Sequence, residues 1–350
     1  MKFRKKDKEF MLEAIKIAKK GRGRTKTNPL VGCVLTKNDE IIAKGYHSSY
    51  GQKHAEIDAL DKTEEEGLTL YVNLEPCSHY GKTPPCVEQI IERKVKTVFV
   101  GMKDPNKKVN GKGLRILKQA GVKVYQGCLE NESKLLNYSY LTGIKKNRAS
   151  VTIKVALSLD GKIAACDGTS QWITSKESRH DGKKLRNKND AILVGSGTAL
   201  KDNPVLNRSL RIKNWKKVLV DRKNKVEESA KMFKDGKIYI WGKRKNGLDK
   251  KPKYLKAKNL KNLLELLRKE GIQSILCEGG MLSSELIKEN LADKIVAYIS
   301  PKLIGSQGLG FSPSEWKTLS DSKKLCDINI KKIGRDVKIE GYLTDVYRDN

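Results

Sequence analysis

The stretch Gly51-Gln-Lys-His-Ala-Glu56, followed by Leu74-Glu-Pro-Cys-Ser-His-Tyr-Gly-Lys-Thr-Pro-Pro-Cys86, decides how the first part of this 350-residue chain is read. His54, Cys77 and Cys86 offer one imidazole and two thiolates. That is three ligands for a tetrahedral zinc, with the fourth position open to water. Zinc lowers the pKa of such a water towards neutrality. Glu56, two residues past the imidazole, is placed to pass protons between that water and a leaving group. A structural zinc would need a fourth protein ligand, and neither His47 nor His79 explains why Glu56 follows His54. A plain pair of buried cysteines explains less. The expectation is one catalytic zinc per chain.

A His-x-Glu followed by Pro-Cys and a second cysteine is the signature of zinc nucleobase deaminases, whose cysteines usually stand two residues apart. Here eight residues separate Cys77 from Cys86. The insert must loop out and return the second thiolate to the same metal. Gly81, Pro84 and Pro85 suit a stiff, turned loop. It brings His79 and Lys82 near the metal, where they can face a substrate.

Around this motif, helix and strand patterns alternate. Lys8 to Lys19 carries apolar residues at helical spacing, and two strands flank Lys37-Asn-Asp as a hairpin. Helices are expected at Ala55–Asp61, Val87–Arg93 and Gly113–Ala120, and strands at Leu68–Leu74, Thr97–Gly101 and Val122–Tyr125. His54 and Cys86 thus stand at helix N-termini, where the dipole at Cys86 favours thiolate over thiol. The polar segment Lys145-Lys-Asn-Arg-Ala-Ser150 closes this α/β unit and sets a domain boundary near Asn147. The remainder alternates again, with strands at 151–157, 191–194, 217–220, 237–241, 274–277 and 294–300 and helices at 260–269 and 281–289, a second α/β domain.

The net charge is +31. Its lysines are spread along the chain, and no basic segment interleaved with aromatics offers a stacking surface for bases. A solvated lysine-rich surface is the preferred reading, with no nucleic-acid partner. No run of about eighteen apolar residues is present, so no membrane partner is expected. Seven cysteines, two assigned to metal and the rest scattered, read as reduced thiols in a cytoplasmic protein.

In the second domain three loops fall at strand ends, where α/β sheets bind ligands. They are Ser158-Leu-Asp-Gly161, Gly195-Ser-Gly-Thr198 and Glu278-Gly-Gly280. Gly279 and Gly280 join a strand to a helix N-terminus, which suits a dinucleotide pyrophosphate; each loop alone is a weak signal, and no G-x-G-x-x-G follows a strand. Arg186 and Arg208 flank the second loop as guanidinium forks for phosphate. For Arg179, exposed helix charge is an equal reading. No acid–base set is evident; Asp160 is conceivable as a proton donor, and a structural role at the strand end is an equal reading.

Taken together, Asn28-Pro-Leu-Val-Gly-Cys33, Gly45-Tyr-His47, the zinc motif, Asp104-Pro-Asn106 with Gly111-Lys-Gly113, Ser170-Gln-Trp-Ile-Thr174, Asp190-Ala-Ile-Leu-Val-Gly195, Asp202-Asn-Pro204 and Glu278-Gly-Gly280 resemble the bifunctional riboflavin-biosynthesis deaminase/reductases of bacteria. The resemblance covers nearly the whole chain and weakens after about Phe311. The long cysteine spacing belongs to that pattern. Thr27 and Ala149 stand where the family often has proline. The resemblance implies a cytidine-deaminase-like α/β/α domain over 1–146 and a dihydrofolate-reductase-like α/β domain over 147–350. The first would hydrolytically deaminate 2,5-diamino-6-ribosylamino-4(3H)-pyrimidinone 5′-phosphate with zinc; the second would reduce the ribosyl group to ribityl with NADPH. It implies His54, Cys77 and Cys86 as ligands and Glu56 as proton shuttle. Asn28, His47, His79 and Lys82 match positions that contact the deaminase substrate. Ala156, Trp172, Thr198 and Asp202 match NADP-contacting positions. Ser170, Arg186, Leu206, Arg208 and Glu278 match reductase substrate positions, Arg208 only across a one-residue gap. A homo-oligomer is expected, though the sequence does not give its size. The rival is a single-function zinc deaminase acting on RNA with a basic appended domain; it leaves Trp172, Gly195-Ser-Gly-Thr198 and Glu278-Gly-Gly280 unexplained.

Overall fold

The apolar run before Glu75 forms β3 (Thr69–Leu74), the middle strand of a five-stranded sheet in a computed structural model that describes residues 2–80, 84–208, 215–243, 252–311 and 316–343. The chain divides between Lys146 and Asn147 into two compact units.

In the first unit β1 (Gly32–Lys37) and β2 (Glu40–Tyr46) make the expected hairpin. Asn38 and Asp39 both have positive φ, 52° and 62°, the conformation that a two-residue turn needs to match strand twist. With β4 (Thr97–Met102) and β5 (Lys123–Gln126) the order is β2-β1-β3-β4-β5. β1 is antiparallel to both its neighbours, and β3, β4 and β5 are parallel. α1 (Lys5–Ala18) covers one face through Phe10, Met11, Ala14 and Ile15 against Val34, Tyr71 and Phe99. It starts three residues before the apolar pattern, because Asp7 accepts the N–H of Arg4 at 3.0 Å and, buried, the Tyr71 hydroxyl at 2.8 Å. α2 (Ala55–Leu60), α3 (Cys86–Glu92) and α4 (Lys112–Gln119) cover the other face over Cys33, Leu35, Val72 and Val98. α5 (Glu130–Leu136) and α6 (Tyr138–Lys146) complete the unit.

The second unit opens with β6 (Ser150–Leu157), β7 (Lys162–Ala164) and α7 (Lys176–Arg186). β8 (Ala191–Gly195), α8 (Ser196–Asp202), β9 (Lys216–Asp221), β10 (Lys237–Gly242) and β11 (Lys253–Tyr254) follow. Then come α9 (Leu260–Lys269), β12 (Ser274–Glu278), α10 (Gly280–Lys288), β13 (Lys294–Ile299), β14 (Leu309–Gly310), β15 (Cys326–Ile333) and β16 (Asp336–Tyr342). Nine strands form one sheet in the order β11-β10-β9-β8-β12-β6-β13-β16-β15, and β7 pairs with β14 apart from it. β11 through β13 are parallel, with β16 and β15 antiparallel at one edge. The parallel strands are buried on both faces, and so read as apolar runs. α9 and α10 cover Val151, Ile153, Leu193 and Ile275; Leu185 of α7 packs on Leu276, Val296 and Tyr298 of the other face. β8, β12 and β6 are adjacent and parallel. Their carboxyl ends therefore bring the loops at Gly195, Glu278 and Ser158 to one place.

Candidate active sites

The expected zinc ligands come from three elements. His54 caps α2, Cys77 follows β3, and Cys86 opens α3. Their donor atoms lie within 4.8 Å of one another, the one such group of three among the described residues. His54 Nδ1 is 3.1 Å from Cys86 Sγ and 3.4 Å from Cys77 Sγ. Tetrahedral ligands at zinc bond lengths stand about 3.5 Å apart. One nitrogen and two sulfurs at this spacing fit a zinc ion.

Glu56 is 3 % exposed, and burial lifts its carboxyl to about 7 against the opposing pull of His54. It lies within hydrogen-bond reach of Cys86. The two thiols do not share charge as the helix dipole alone would dictate. Cys77 is held below the usual thiol range by hydrogen bonds from Cys86 and His54. Cys86 is pushed up by its hydrogen bond to Cys77 and by burial. Thiolate ligands must be deprotonated, so binding of a zinc ion there would release protons.

The residues expected to face the substrate are held from behind. Two buried amides, Asn73 and Asn137, both donate to the Leu30 carbonyl, at 2.9 and 3.0 Å, and receive the N–H groups of Gly32 and Leu30. This fixes the Asn28-Pro29-Leu30 turn. His47 is buried, with Nδ1 3.1 Å from the Lys53 carbonyl and Nε2 3.2 Å from Asn28 Nδ2. A carbonyl requires Nδ1 to carry the proton, so Nε2 accepts from Asn28. Burial holds His47 below the usual imidazole range, which agrees with that neutral tautomer. Its ring meets the His54 ring edge-on at 5.5 Å. His79 is half-buried, and its Nδ1 is buried with no partner among the described residues, a polar atom that a ligand would satisfy. Lys82 lies outside the described residues.

In the second unit Arg186 and Glu278 form a two-pronged ion pair, with Nε and Nη2 each 2.9 Å from a carboxylate oxygen. Burial pushes the Glu278 carboxyl up, but Arg186 outweighs it and holds the group below its ordinary range. Arg208 donates to the carbonyls of Arg186 and Asn189 and stacks on Trp215 at 3.9 Å. Its guanidinium thus closes the end of α7 onto the turn at Leu206, which is buried with φ +59°. Gly279 has φ +118°, and a Cβ there would stand 2.3 Å from Thr198 Oγ1; at Gly280 it would stand 2.2 Å from Ile163 Cδ1. The glycine pair lets the head of α10 sit against Thr198, with its opening N–H groups unbonded as at any helix start. Ala156 lies on β6, two residues past Lys154, the register partner of Glu278.

Asp202 is exposed at the end of α8, and Ser170 is half-buried on the loop after β7. Trp172, 59 % exposed, stacks under Arg179 at 4.2 Å. It lines a cleft of about 660 Å³ with Lys176, Lys302 and Arg335. Asp160 is an anchor. It accepts from Ser158 Oγ and the N–H groups of Ile304 and Gly305, chiefly the first of which holds it down at about 2. A group that acidic is no proton donor near neutrality. Lys154, absent from the sequence reading, stands opposite Glu278 in the β12–β6 register, and its charge helps hold that carboxyl down. The one signal for it was a lysine within the apolar strand Val151–Leu157.

Comparison with known proteins agrees with this geometry. Residues 4–102 match the family described as the cytidine and deoxycytidylate deaminase zinc-binding region, and residues 149–339 match the RibD C-terminal domain. The chain is 38% identical over 349 residues to the riboflavin biosynthesis protein RibD of Aquifex aeolicus, covering 95% of this chain and 97% of that one. A solved structure of a diaminohydroxyphosphoribosylaminopyrimidine deaminase/5-amino-6-(5-phosphoribosylamino)uracil reductase from Thermotoga maritima superposes with TM-score 0.88 at 35% identity, covering 97% and 99% of the two chains. RibD of Acinetobacter baumannii superposes with TM-score 0.87 at 35% identity, again over 97% and 99%. Because the second half has its own family match, the appended-domain RNA deaminase has no support. Among the described residues no helix is long and apolar enough to cross a membrane.

Proposed function

The chain belongs to the riboflavin-biosynthesis deaminase/reductase family, a bifunctional enzyme of riboflavin biosynthesis, and from that premise we propose its substrates, cofactors and working residues. The first unit deaminates 2,5-diamino-6-ribosylamino-4(3H)-pyrimidinone 5′-phosphate. The second reduces the ribosyl group of the product to ribityl. The observation that carries the reading is the convergence of His54, Cys77 and Cys86 beside the buried Glu56.

His54, Cys77 and Cys86 would hold a zinc ion, which when bound would supply Lewis acidity to a water in the site. Glu56, buried beside these ligands, would accept a proton from the attacking water and return one to the leaving amine. His47 orients the Asn28 amide, and His79 and Lys82 meet the substrate, Lys82 as a cation for its phosphate. NADPH, when bound, would supply the hydride in the second unit, so the task of the protein's own residues there is positioning. Gly279, Gly280, Thr198 and Ala156 seat the cofactor, with Trp172 and Asp202 further along it. Ser170, Arg186, Leu206, Arg208 and Glu278 hold the substrate, with Lys154 beside Glu278. We further propose a cytoplasmic homo-oligomer.

The test is an assay of purified protein with the pyrimidine phosphate, following ammonia release and NADPH absorbance. Ammonia release that needs no NADPH, followed by NADPH oxidation, is expected. Ammonia release with no NADPH oxidation would leave a deaminase alone.

A further inference from the structure

Asp104-Pro-Asn106 and Gly111-Lys-Gly113 carry none of the chemistry above, yet they lie against the turn that bears the zinc ligands. Glu75, which stands directly before Pro76-Cys77, is 3 % exposed. Its Oε2 accepts the N–H groups of Asp104 at 3.2 Å and Gly111 at 2.9 Å, and its Oε1 accepts that of Gly113 at 3.1 Å. Gly111 caps α4, so the carboxylate also stands at the positive end of that helix. A Cβ on Gly113 would lie 2.2 Å from the Pro76 carbonyl oxygen. Asp104 accepts the Tyr140 hydroxyl at 2.9 Å, and its carboxylate lies near enough to His79 to act on it by charge.

We propose that Glu75 is a positioning residue of the deaminase. Its carboxylate clamps the loop from Asp104 to Gly113 onto the turn carrying Cys77 and His79, and the loop forms one wall of the substrate pocket. This rests on the deaminase reading of the His54 site. Only a carboxylate offers acceptors alone to three donors; an amide would turn an N–H towards an N–H.

Two variants act on the clamp from opposite sides. Glu75→Gln keeps the shape and removes one acceptor. Gly113→Ala adds the atom that meets Pro76. Each is expected to raise the deamination KM on the order of tenfold, through a lost buried hydrogen bond in Glu75→Gln and a displaced loop in Gly113→Ala, with kcat and zinc content near the parent's. Backbone hydrogen exchange at Asp104, Gly111 and Gly113 speeds up in Glu75→Gln, a readout that needs no turnover. Unchanged KM in both variants overturns the wall, and unchanged exchange overturns the clamp. Zinc loss in step with kcat makes Glu75 mere support for Cys77 and overturns the proposal as well. If Glu75→Gln does not fold, Gly113→Ala decides. A parent protein that deaminates no phosphorylated pyrimidine would sink the functional reading instead, while hydrogen exchange still tests the clamp.

Discussion

Arg186→Met should cost the second unit stability and leave the first untouched. The Arg186 and Glu278 side chains are 14% and 17% exposed, so their pair lies between the surface and buried limits. Exposed pairs contribute about 0–1 kcal/mol and breaking a buried one costs about 3–5. We expect a loss of about 2–3 kcal/mol, because a half-buried carboxylate keeps only Lys154 for company. In a unit of this size that lowers Tm by about 5–10 °C. All four tryptophans, Trp172, Trp215, Trp241 and Trp316, fall in the second unit, so tryptophan fluorescence reports on it alone. The folded Glu278 carboxyl is depressed. The pair's contribution is therefore complete above the ordinary glutamate value of about 4.3 and is lost as pH falls through the lower folded value. The difference between parent and variant should be full at neutral pH and shrink in acid. A double-mutant cycle with Glu278→Gln isolates the pair, with a coupling of about 1–2 kcal/mol expected. Additive losses at neutral pH would refute the pairing.

Glu56→Gln should retain zinc and lose deamination about a hundredfold or more while reduction of supplied deaminated substrate persists; near-parental ammonia release would remove Glu56 from its role. Cys77→Ser and Cys86→Ser should each lower bound zinc and abolish deamination, since serine is a poor substitute for thiolate; metal analysis showing full occupancy with activity intact would exclude them as ligands. Gly280→Val should weaken NADPH binding at moderate salt without changing zinc content, because only the mobile end of Ile163 opposes the new side chain; equal affinity would make the loop a turn and move the cofactor elsewhere.

The sequence made some elements plain and hid others for physical reasons. α9 was readable to the residue. Asn259 caps it through the N–H of Asn262 at 2.9 Å, and Leu260, Leu263, Leu264 and Leu267 are its buried stripe. α7 was missed because only Ser178, Gly182 and Leu185 are buried in a run otherwise basic and polar, so no apolar period marks it. The β15–β16 pair was missed because the isoleucines of β15 stand among polar residues on an exposed edge, Ile328 at 56% and Ile330 at 63% exposure. Zinc chemistry demands particular residue types at short range, so His54, Glu56, Cys77 and Cys86 could be read singly. The second site depends on β8, β12 and β6 being neighbours, and no local pattern gives strand order. The partners of Arg186 and Arg208 were hidden for the same reason.

Three buried or half-buried glutamates show why residue type alone does not assign a role. Glu56 faces thiols and an imidazole and has no Lys or Arg ion pair among the described residues, so burial outweighs the pull of His54 and raises its proton affinity, which suits the proposed proton carrier. Glu75 meets three backbone N–H groups, so it is spent on holding a loop. Glu278 meets a guanidinium, so it stays ionised and fixes Arg186 in place. On the roles proposed above, one side chain, set among different donors, serves as a shuttle, a clamp and a counter-ion. Exchanging the environment should exchange the role. A glutamine retains most of the geometry at all three positions, so the three Glu→Gln variants separate along different observables: deamination rate at Glu56, deamination KM at Glu75, and stability of the second unit at Glu278. If all three changed only stability, burial would be their common property and the division of labour would be wrong.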